Sequence, residues 1–303
     1  VRLLLPDWDA ARALEGLPAG VEPVLTSGLG PLPAAVADVE FAVVEPPPGG
    51  DPARLLDAMP HVRVVQTVSA GVDWMPEHAH HAITLCDAAG VHDVPVAEWT
   101  VAAILAMAKR LPELIDAQRE RVWRKRDGED LEGAEVLIVG HGSIGRALEA
   151  RLAPFGARVR GIVRRPRAGM ATMDELGALL GGADVVVILL PLTGETRGLV
   201  DAAFLARMRS GALLVNAARG AIVDTAALLA ALEAGRIRAA LDVTEPEPLP
   251  DGHPLFSAPN LLLTPHVAGD VPRFPERAMA FARDQVRRYV AGEPLENVVE
   301  DGY

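Results

Sequence analysis

Glu135-Val136-Leu137-Ile138-Val139-Gly140-His141-Gly142-Ser143-Ile144-Gly145 decides the fold. The stretch Glu135–Val139 carries apolar side chains on successive positions without polar alternation, the pattern of a strand buried on both faces, as parallel sheets require. Three glycines follow at once, and Ala147, Leu148 and Leu152 then recur at helical spacing through Arg146–Phe155. A strand, a GxGxxG turn and a helix in that order make a dinucleotide-binding unit. Gly140 permits the tight turn, Gly142 lets backbone approach a pyrophosphate, and Gly145 lets helix and strand pack closely. The helix start at Ser143 and Ile144 offers unpaired N–H groups to the anion. By contrast, Gly28-Leu29-Gly30-Pro31 has no helix behind it and reads as a plain turn.

Outward from this stretch, short apolar runs alternate with helical patterns, the signature of a parallel α/β protein. Before it, strands are expected at Arg2–Leu5, Glu22–Leu25, Phe41–Val44, Val62–Thr67 and Ile83–Cys86, with helical pieces at Ala10–Leu14 and Pro52–Met59. Pro46-Pro47-Pro48-Gly49-Gly50 reads as a loop. One long helix is expected from about Pro95 to Ile115, with Trp99 and Met107 at core or interface spacing, the core being favoured. After the glycine turn, strands follow at Arg158–Val163, Val185–Leu189, Leu213–Asn216, Ala239–Val243 and Leu261–Thr264, and a last helix covers Glu276–Tyr289.

Composition narrows the class. At 303 residues the chain has room for two cores, and 50% hydrophobic with 23% charged residues suits an ordered protein. A net charge of −12 argues against general nucleic-acid binding. No apolar run is long enough to span a membrane, and the N-terminus does not read as a signal peptide. Cys86 is the only cysteine, so a reducing cytoplasm is the expected location. His78, His80 and His81 lack the i, i+4 spacing of a helical metal site, and no metal is expected.

The region after the glycine loop also bears on the cofactor. An NAD site places an acid about 20 residues on, to hold the ribose 2′-hydroxyl. Here no carboxylate occurs from Ala150 through Met173, and the second strand ends in Arg164 and Arg165. Arginines attract a 2′-phosphate, so NADP(H) is favoured over NAD(H).

Three strand ends carry catalytic residue types. Asn216-Ala217-Ala218-Arg219-Gly220 supplies a guanidinium, Asp242-Val243-Thr244-Glu245-Pro246-Glu247-Pro248 two candidate acids, and Thr264-Pro265-His266 an imidazole. Arginine suits a carboxylate clamp, and a histidine beside a carboxylate suits acid/base work on a hydroxyl or carbonyl oxygen.

At these residues the chain resembles the D-isomer-specific 2-hydroxyacid dehydrogenase family over essentially its full length. Ser69-Ala70-Gly71-Val72-Asp73, Val96-Ala97-Glu98, the glycine loop, Leu190-Pro191-Leu192-Thr193 and Glu195-Thr196-Arg197-Gly198-Leu199 match in order with the three segments above. The resemblance implies two Rossmann-like domains, a flavodoxin-like substrate domain from 1–94 and 270–303 and an NAD(P)-binding domain from 95–269, with the active site in the cleft between them. It implies a catalytic Arg219, Glu247 (rather than Glu245) paired with His266, and substrate held by Ala70, Gly71 and Arg219. Cofactor contacts would include Leu190, Pro191, Thr196, Ala217, Asp242, His266 and Gly269.

The implied reaction is hydride transfer between NAD(P)H and a small 2-keto or 2-hydroxy acid. D specificity and a homodimer formed through the cofactor domain follow from the same source. The missing acid resembles the NADPH-preferring glyoxylate and hydroxypyruvate reductase branch. Gly269-Asp270-Val271-Pro272 departs from the family's Ser/Thr-rich turn, and no appended C-terminal regulatory domain is expected. The alternative reading is a non-enzymatic, dinucleotide-sensing interaction protein, co-repressor-like, on the same fold. A methyltransferase would have no use for the Arg–Glu–His set.

Overall fold

The computed structural model describes residues 1–7, 15–26, 33–45, 52–75 and 83–299. The expected helix Ala10–Leu14, the Gly28–Pro31 turn, the Pro46–Gly50 loop and the 78–81 histidines lie outside the described residues.

In chain order the elements are β1 (Arg2–Pro6), β2 (Glu22–Thr26), β3 (Phe41–Val44), α1 (Pro52–Asp57), β4 (Val64–Thr67), β5 (Thr84–Cys86), α2 (Asp93–Ala108) and α3 (Leu111–Arg119). Then come β6 (Glu135–Val139), α4 (Ser143–Leu152), β7 (Arg158–Val163), β8 (Ala171–Thr172), α5 (Leu176–Leu179), β9 (Val185–Ile188), α6 (Ala202–Arg207) and β10 (Leu213–Asn216). The chain continues through α7 (Thr225–Glu233), β11 (Arg238–Leu241), β12 (Leu261–Leu263) and α8 (Phe274–Ala291). It divides into two compact units, Val1–His92 with Val271–Tyr303, and Asp93–Asp270.

The first unit is a five-stranded parallel sheet in the order β2-β1-β3-β4-β5, the flavodoxin-like order. Alternation of side chains along each strand sorts them onto two faces. Leu3, Leu5, Phe41 and Val43 pack with Ala278, Met279, Ala282 and Val286 of α8. Leu4, Ala42, Val44 and Val65 pack with Val36, Met59 and Val72 on the other face. Two fully buried amides join β4 to α8, Gln285 Nε2 donating to Gln66 Oε1 at 2.8 Å.

The second unit holds seven strands, all parallel, in the order β12-β11-β10-β9-β6-β7-β8. Read from β6 this is the doubly wound dinucleotide-binding order with one strand added beyond the sixth. Both faces are covered, which is why the strands are apolar throughout. Val136 and Ile138 face Ile104 and Met107 of α2 and Leu148 of α4, whereas Leu137 and Val139 face Leu176, Phe204 and Leu228. Trp99 is half-buried against the same cluster as Met107.

The single long helix expected from Pro95 to Ile115 is two helices. Pro112 has no N–H to give the Ala108 carbonyl, and its ring would press on that oxygen. The chain turns at Arg110, in the left-handed region at φ 54°, and the freed Ala108 carbonyl accepts from Glu129 N at 2.8 Å. The sequence reading also missed β8 and the short helices α6 and α7, whose N-caps are Asp201 and Asp224.

Leu148 is completely buried between α2 and β6. Leu148→Ala is expected to destabilise the second unit by about 2–5 kcal/mol, checked by the midpoint of urea unfolding followed by circular dichroism.

Candidate active site

Because the seven strands are parallel, their carboxyl ends lie along one edge of the sheet, where open α/β proteins build their sites. The glycine loop leaves that edge from β6. Gly140 has φ 98°, and a Cβ there would stand 2.6 Å from the backbone carbon and oxygen of Leu189, at the end of β9. Gly145 sits below, where a Cβ would lie 3.2 Å from the Gly140 carbonyl and 3.4 Å from Ile138. Gly142 differs from both, since a Cβ there would meet nothing within 4 Å. Gly142 is the N-cap of α4, so this open space lies at the helix N-terminus, whose unpaired N–H groups suit an anion. The Gly140–Gly145 cradle thus suits a dinucleotide cofactor.

Three adjacent strands carry the remaining groups. Arg219 follows β10. The fully buried Asn216 shapes its loop, donating from Nδ2 to the Arg219 carbonyl at 2.9 Å and accepting from Ala218 N at 3.1 Å. Gly220 is required because a Cβ would fall 1.9 Å from the Thr244 carbonyl group. This close approach presses the arginine loop onto the segment after β11, which carries Glu247. Thr225 Oγ1 donates to the Glu245 carbonyl at 3.0 Å, and Thr244 Oγ1 to the Pro246 carbonyl at 2.9 Å, so that segment is tied on both sides.

His266 follows β12 at φ 54°, a backbone conformation that costs a non-glycine residue energy. Asp242 holds it there. The Asp242 carboxylate accepts from Thr264 Oγ1 at 2.6 Å, Val267 N at 2.9 Å and Ala268 N at 2.9 Å, and its carbonyl accepts from His266 N at 2.6 Å. Asp242 is only 2% exposed, so these bonds form away from competing water.

The outcome is a His266–Glu247 pair, Nδ1 against Oε1. The imidazole is still 47% exposed and so is open to a ligand. The hydrogen bond to Glu247 raises the His266 pKa; burial opposes it, the Glu247 charge adds to it, Arg219 opposes it and Asp242 adds to it. Burial pushes Glu247 up, but the His266 bond and charge, a Thr244 backbone bond and the Arg219 charge together leave it below the usual carboxylate value. The arginine, glutamate and histidine therefore act electrostatically on one another within one unit.

Ala70 and Gly71 belong to the other unit, in the loop after β4. The Gly71 carbonyl accepts from Ser69 Oγ at 2.9 Å and Trp74 Nε1 at 3.0 Å, and the Ser69 carbonyl accepts from Thr67 Oγ1 at 2.7 Å, so the loop's oxygens are tied inward. In the second unit, Thr196 Oγ1 donates to the Pro191 carbonyl at 2.6 Å, joining two expected cofactor contacts. Cys86 is fully buried and burial pushes its thiol up to about 12, so it offers no reactive thiolate. Among the described residues no group of three potential ligands could hold a metal ion, and no helix is long and apolar enough to cross a membrane.

The residues that sequence reasoning missed are supports: Asn216, Gly220, Thr244 and Thr264. All stand in the quoted segments, but their roles depend on strands that only the sheet order brings together.

A family model described as the NAD-binding domain of D-isomer-specific 2-hydroxyacid dehydrogenases matches residues 101–268. The chain belongs to that family. It is 36% identical to glyoxylate reductase of Thermofilum pendens over 256 residues, covering 80% of this chain and 76% of that protein. It is 37% identical to glyoxylate/hydroxypyruvate reductase B of Citrobacter koseri over 263 residues, covering 82% and 81% respectively. A D-isomer-specific 2-hydroxyacid dehydrogenase from Xanthobacter autotrophicus, solved with NADPH and MES, superposes with a TM-score of 0.84 at 33% identity over 100% of this chain and 99% of that one. The chain spans about half the length, 52%, of the mycobacterial D-3-phosphoglycerate dehydrogenases it also matches.

With His266 as the proton donor to a keto acid, the expected outcome is reduction that proceeds below the raised His266 pKa and falls as pH rises through it. Oxidation should show the opposite slope. Glu247→Gln removes the charge that raises this pKa, and is expected to move the alkaline limb of reduction to lower pH, measured as kcat/KM against pH.

Proposed function

We propose that the protein is an NADP(H)-dependent reductase of small 2-keto acids of the glyoxylate and hydroxypyruvate type, reversible as a D-2-hydroxyacid dehydrogenase. The observation that carries this reading is the His266–Glu247 pair held beside Arg219. Bound nicotinamide supplies the hydride to C2 of the substrate. Arg219 binds the substrate carboxylate and polarises the C2 oxygen through its fork of N–H donors. His266, kept charged by Glu247, gives its proton to that oxygen as negative charge develops on it. In the reverse direction the neutral imidazole takes the proton back.

The remaining assignments rest on the family resemblance: Ala70 and Gly71 toward the substrate carboxylate, and Leu190, Pro191, Thr196, Ala217, Asp242 and Gly269 toward the cofactor. The glycine loop takes the pyrophosphate.

NADP(H) is preferred to NAD(H) because Arg164 and Arg165 follow β7 directly, with no carboxylate between residues 150 and 173. The Xanthobacter relative was solved with NADPH, which supports use of the phosphorylated cofactor. The partner protein is a second copy of this chain. Leu111, Ile115 and Val122 are exposed on and after α3, and Trp123 is 93% exposed beside them, an apolar surface of the kind that marks an interface. A reducing cytoplasm suits a chain whose single cysteine is free and buried.

A panel of 2-keto acids run in parallel with NADPH and NADH tests the reading. Glyoxylate or hydroxypyruvate should turn over fastest, and faster with NADPH. Much better turnover with NADH would refute the role of Arg164 and Arg165, and cofactor binding without turnover would favour the dinucleotide-sensing alternative. His266→Ala should lower kcat by about 10²- to 10⁴-fold, and near-normal turnover would end the mechanism.

A further inference from the structure

His141 fills the second position of the glycine loop, a place where the motif demands no particular side chain. Its imidazole is nevertheless 1% exposed and bonded at both nitrogens. Nε2 lies 2.8 Å from Glu149 Oε2 on α4, and Nδ1 lies 3.1 Å from Nη2 of Arg167, in the loop after β7. The same Nη2 lies 3.3 Å from the His141 carbonyl oxygen. A guanidinium only donates, so Nδ1 accepts, and Nε2 carries the hydrogen that goes to the Glu149 carboxylate.

The strand makes room for this ring. At Gly161, in the middle of β7, a Cβ would stand 2.6 Å from the imidazole Cγ and 2.7 Å from the Met170 sulfur. Any larger residue at position 161 would force the ring or the Met170 sulfur to shift. Arg167 meanwhile is exposed, and its Nε and Nη1 have no hydrogen-bond partner among the described residues. One amino group of its fork is thus tied to the glycine loop, while three N–H donors remain available two and three residues after Arg165 and Arg164. The end of the second strand of this fold is where the 2′ position of the adenosine ribose is read.

We propose that His141 is a positioning residue for cofactor choice: braced by Glu149, it anchors Arg167 to the glycine loop so that Arg167 meets the 2′-phosphate of the dinucleotide. The inference deepens the NADP(H) reading above and rests on it. The anchoring matters because a free arginine side chain must be ordered when it binds, and a pre-tied fork loses less freedom per bond formed.

Calorimetric binding of 2′,5′-ADP and of 5′-AMP to the whole protein tests this without turnover. Wild type should bind 2′,5′-ADP more tightly. His141→Phe keeps bulk but no acceptor, and should lower 2′,5′-ADP affinity about tenfold while leaving 5′-AMP affinity within about twofold. His141→Asn keeps an acceptor near the Nδ1 position and should restore most of the loss. Arg167→Leu, at an exposed position that folding does not need, should lose at least as much, and adding His141→Phe to it should cost little more. If His141→Phe does not fold, His141→Asn and Arg167→Leu carry the comparison, Asn remaining near wild type and Leu losing the preference. Equal weakening of both nucleotides, additive losses, or an unchanged preference in Arg167→Leu would overturn the proposal while leaving the NADP(H) reading intact. Wild type that binds both nucleotides equally would overturn that reading itself.

Discussion

The parallel alignment of the seven strands in the second unit constrains everything the site contains. Helices cover both faces of such a sheet, so its carboxyl edge is the place where loops can meet a ligand. Along that edge stand, in order, the His266 loop, the Asp242–Glu247 segment, the Arg219 loop, Leu190, the glycine turn and the arginines after β7. With strands spaced about 4.8 Å apart, these loops extend over roughly 24 Å, a span suited to one elongated, two-headed ligand. The His266–Glu247 pair stands at one end and the arginines after β7 at the other. Gly140 lies where the strand order reverses, and its bare Cα lets β6 turn against the end of β9.

Within this layout the His266 end depends on backbone held against its preference. His266 adopts a left-handed conformation that an isolated residue would leave, and the buried carboxylate of Asp242 collects three donors from the surrounding turn. The turn in turn aims the imidazole at Glu247. Opposing influences then set the proton affinity: Glu247 favours the charged ring, while burial and Arg219 oppose it. An acid/base group poised in this way is more useful than one held firmly in either state. The same logic recurs at the other end of the edge, where His141 fills space given up by Gly161 and ties down Arg167.

Much of this was legible in the chain itself. Continuous apolar runs such as Glu135–Val139 and Val185–Ile188 announced parallel strands, because side chains buried on both faces leave no polar positions to alternate. The glycine spacing located the turn after β6, since the φ of 98° at Gly140 and its close approach to Leu189 call for a residue without a side chain. Arg219, Glu247 and His266 could be singled out because each follows a strand candidate at once, in segments resembling the family's own. The long helix was misread at Pro112, where a proline signal in the sequence was outweighed by the alanine-rich pattern around it.

Local pattern therefore determined which segments are strands, where the backbone must bend freely, and which side chains carry charge or a proton. Tertiary structure alone decided which segments become neighbours. That β10, β11 and β12 lie side by side, that Gly220 must clear Thr244, that Asp242 serves the His266 turn, and that His141 joins Glu149 to Arg167 are consequences of strand order and register. Periodicity within a segment reports which face a residue takes against the core. Contacts between segments distant in sequence arise only when the whole sheet has closed, and no run of residues read by itself records them.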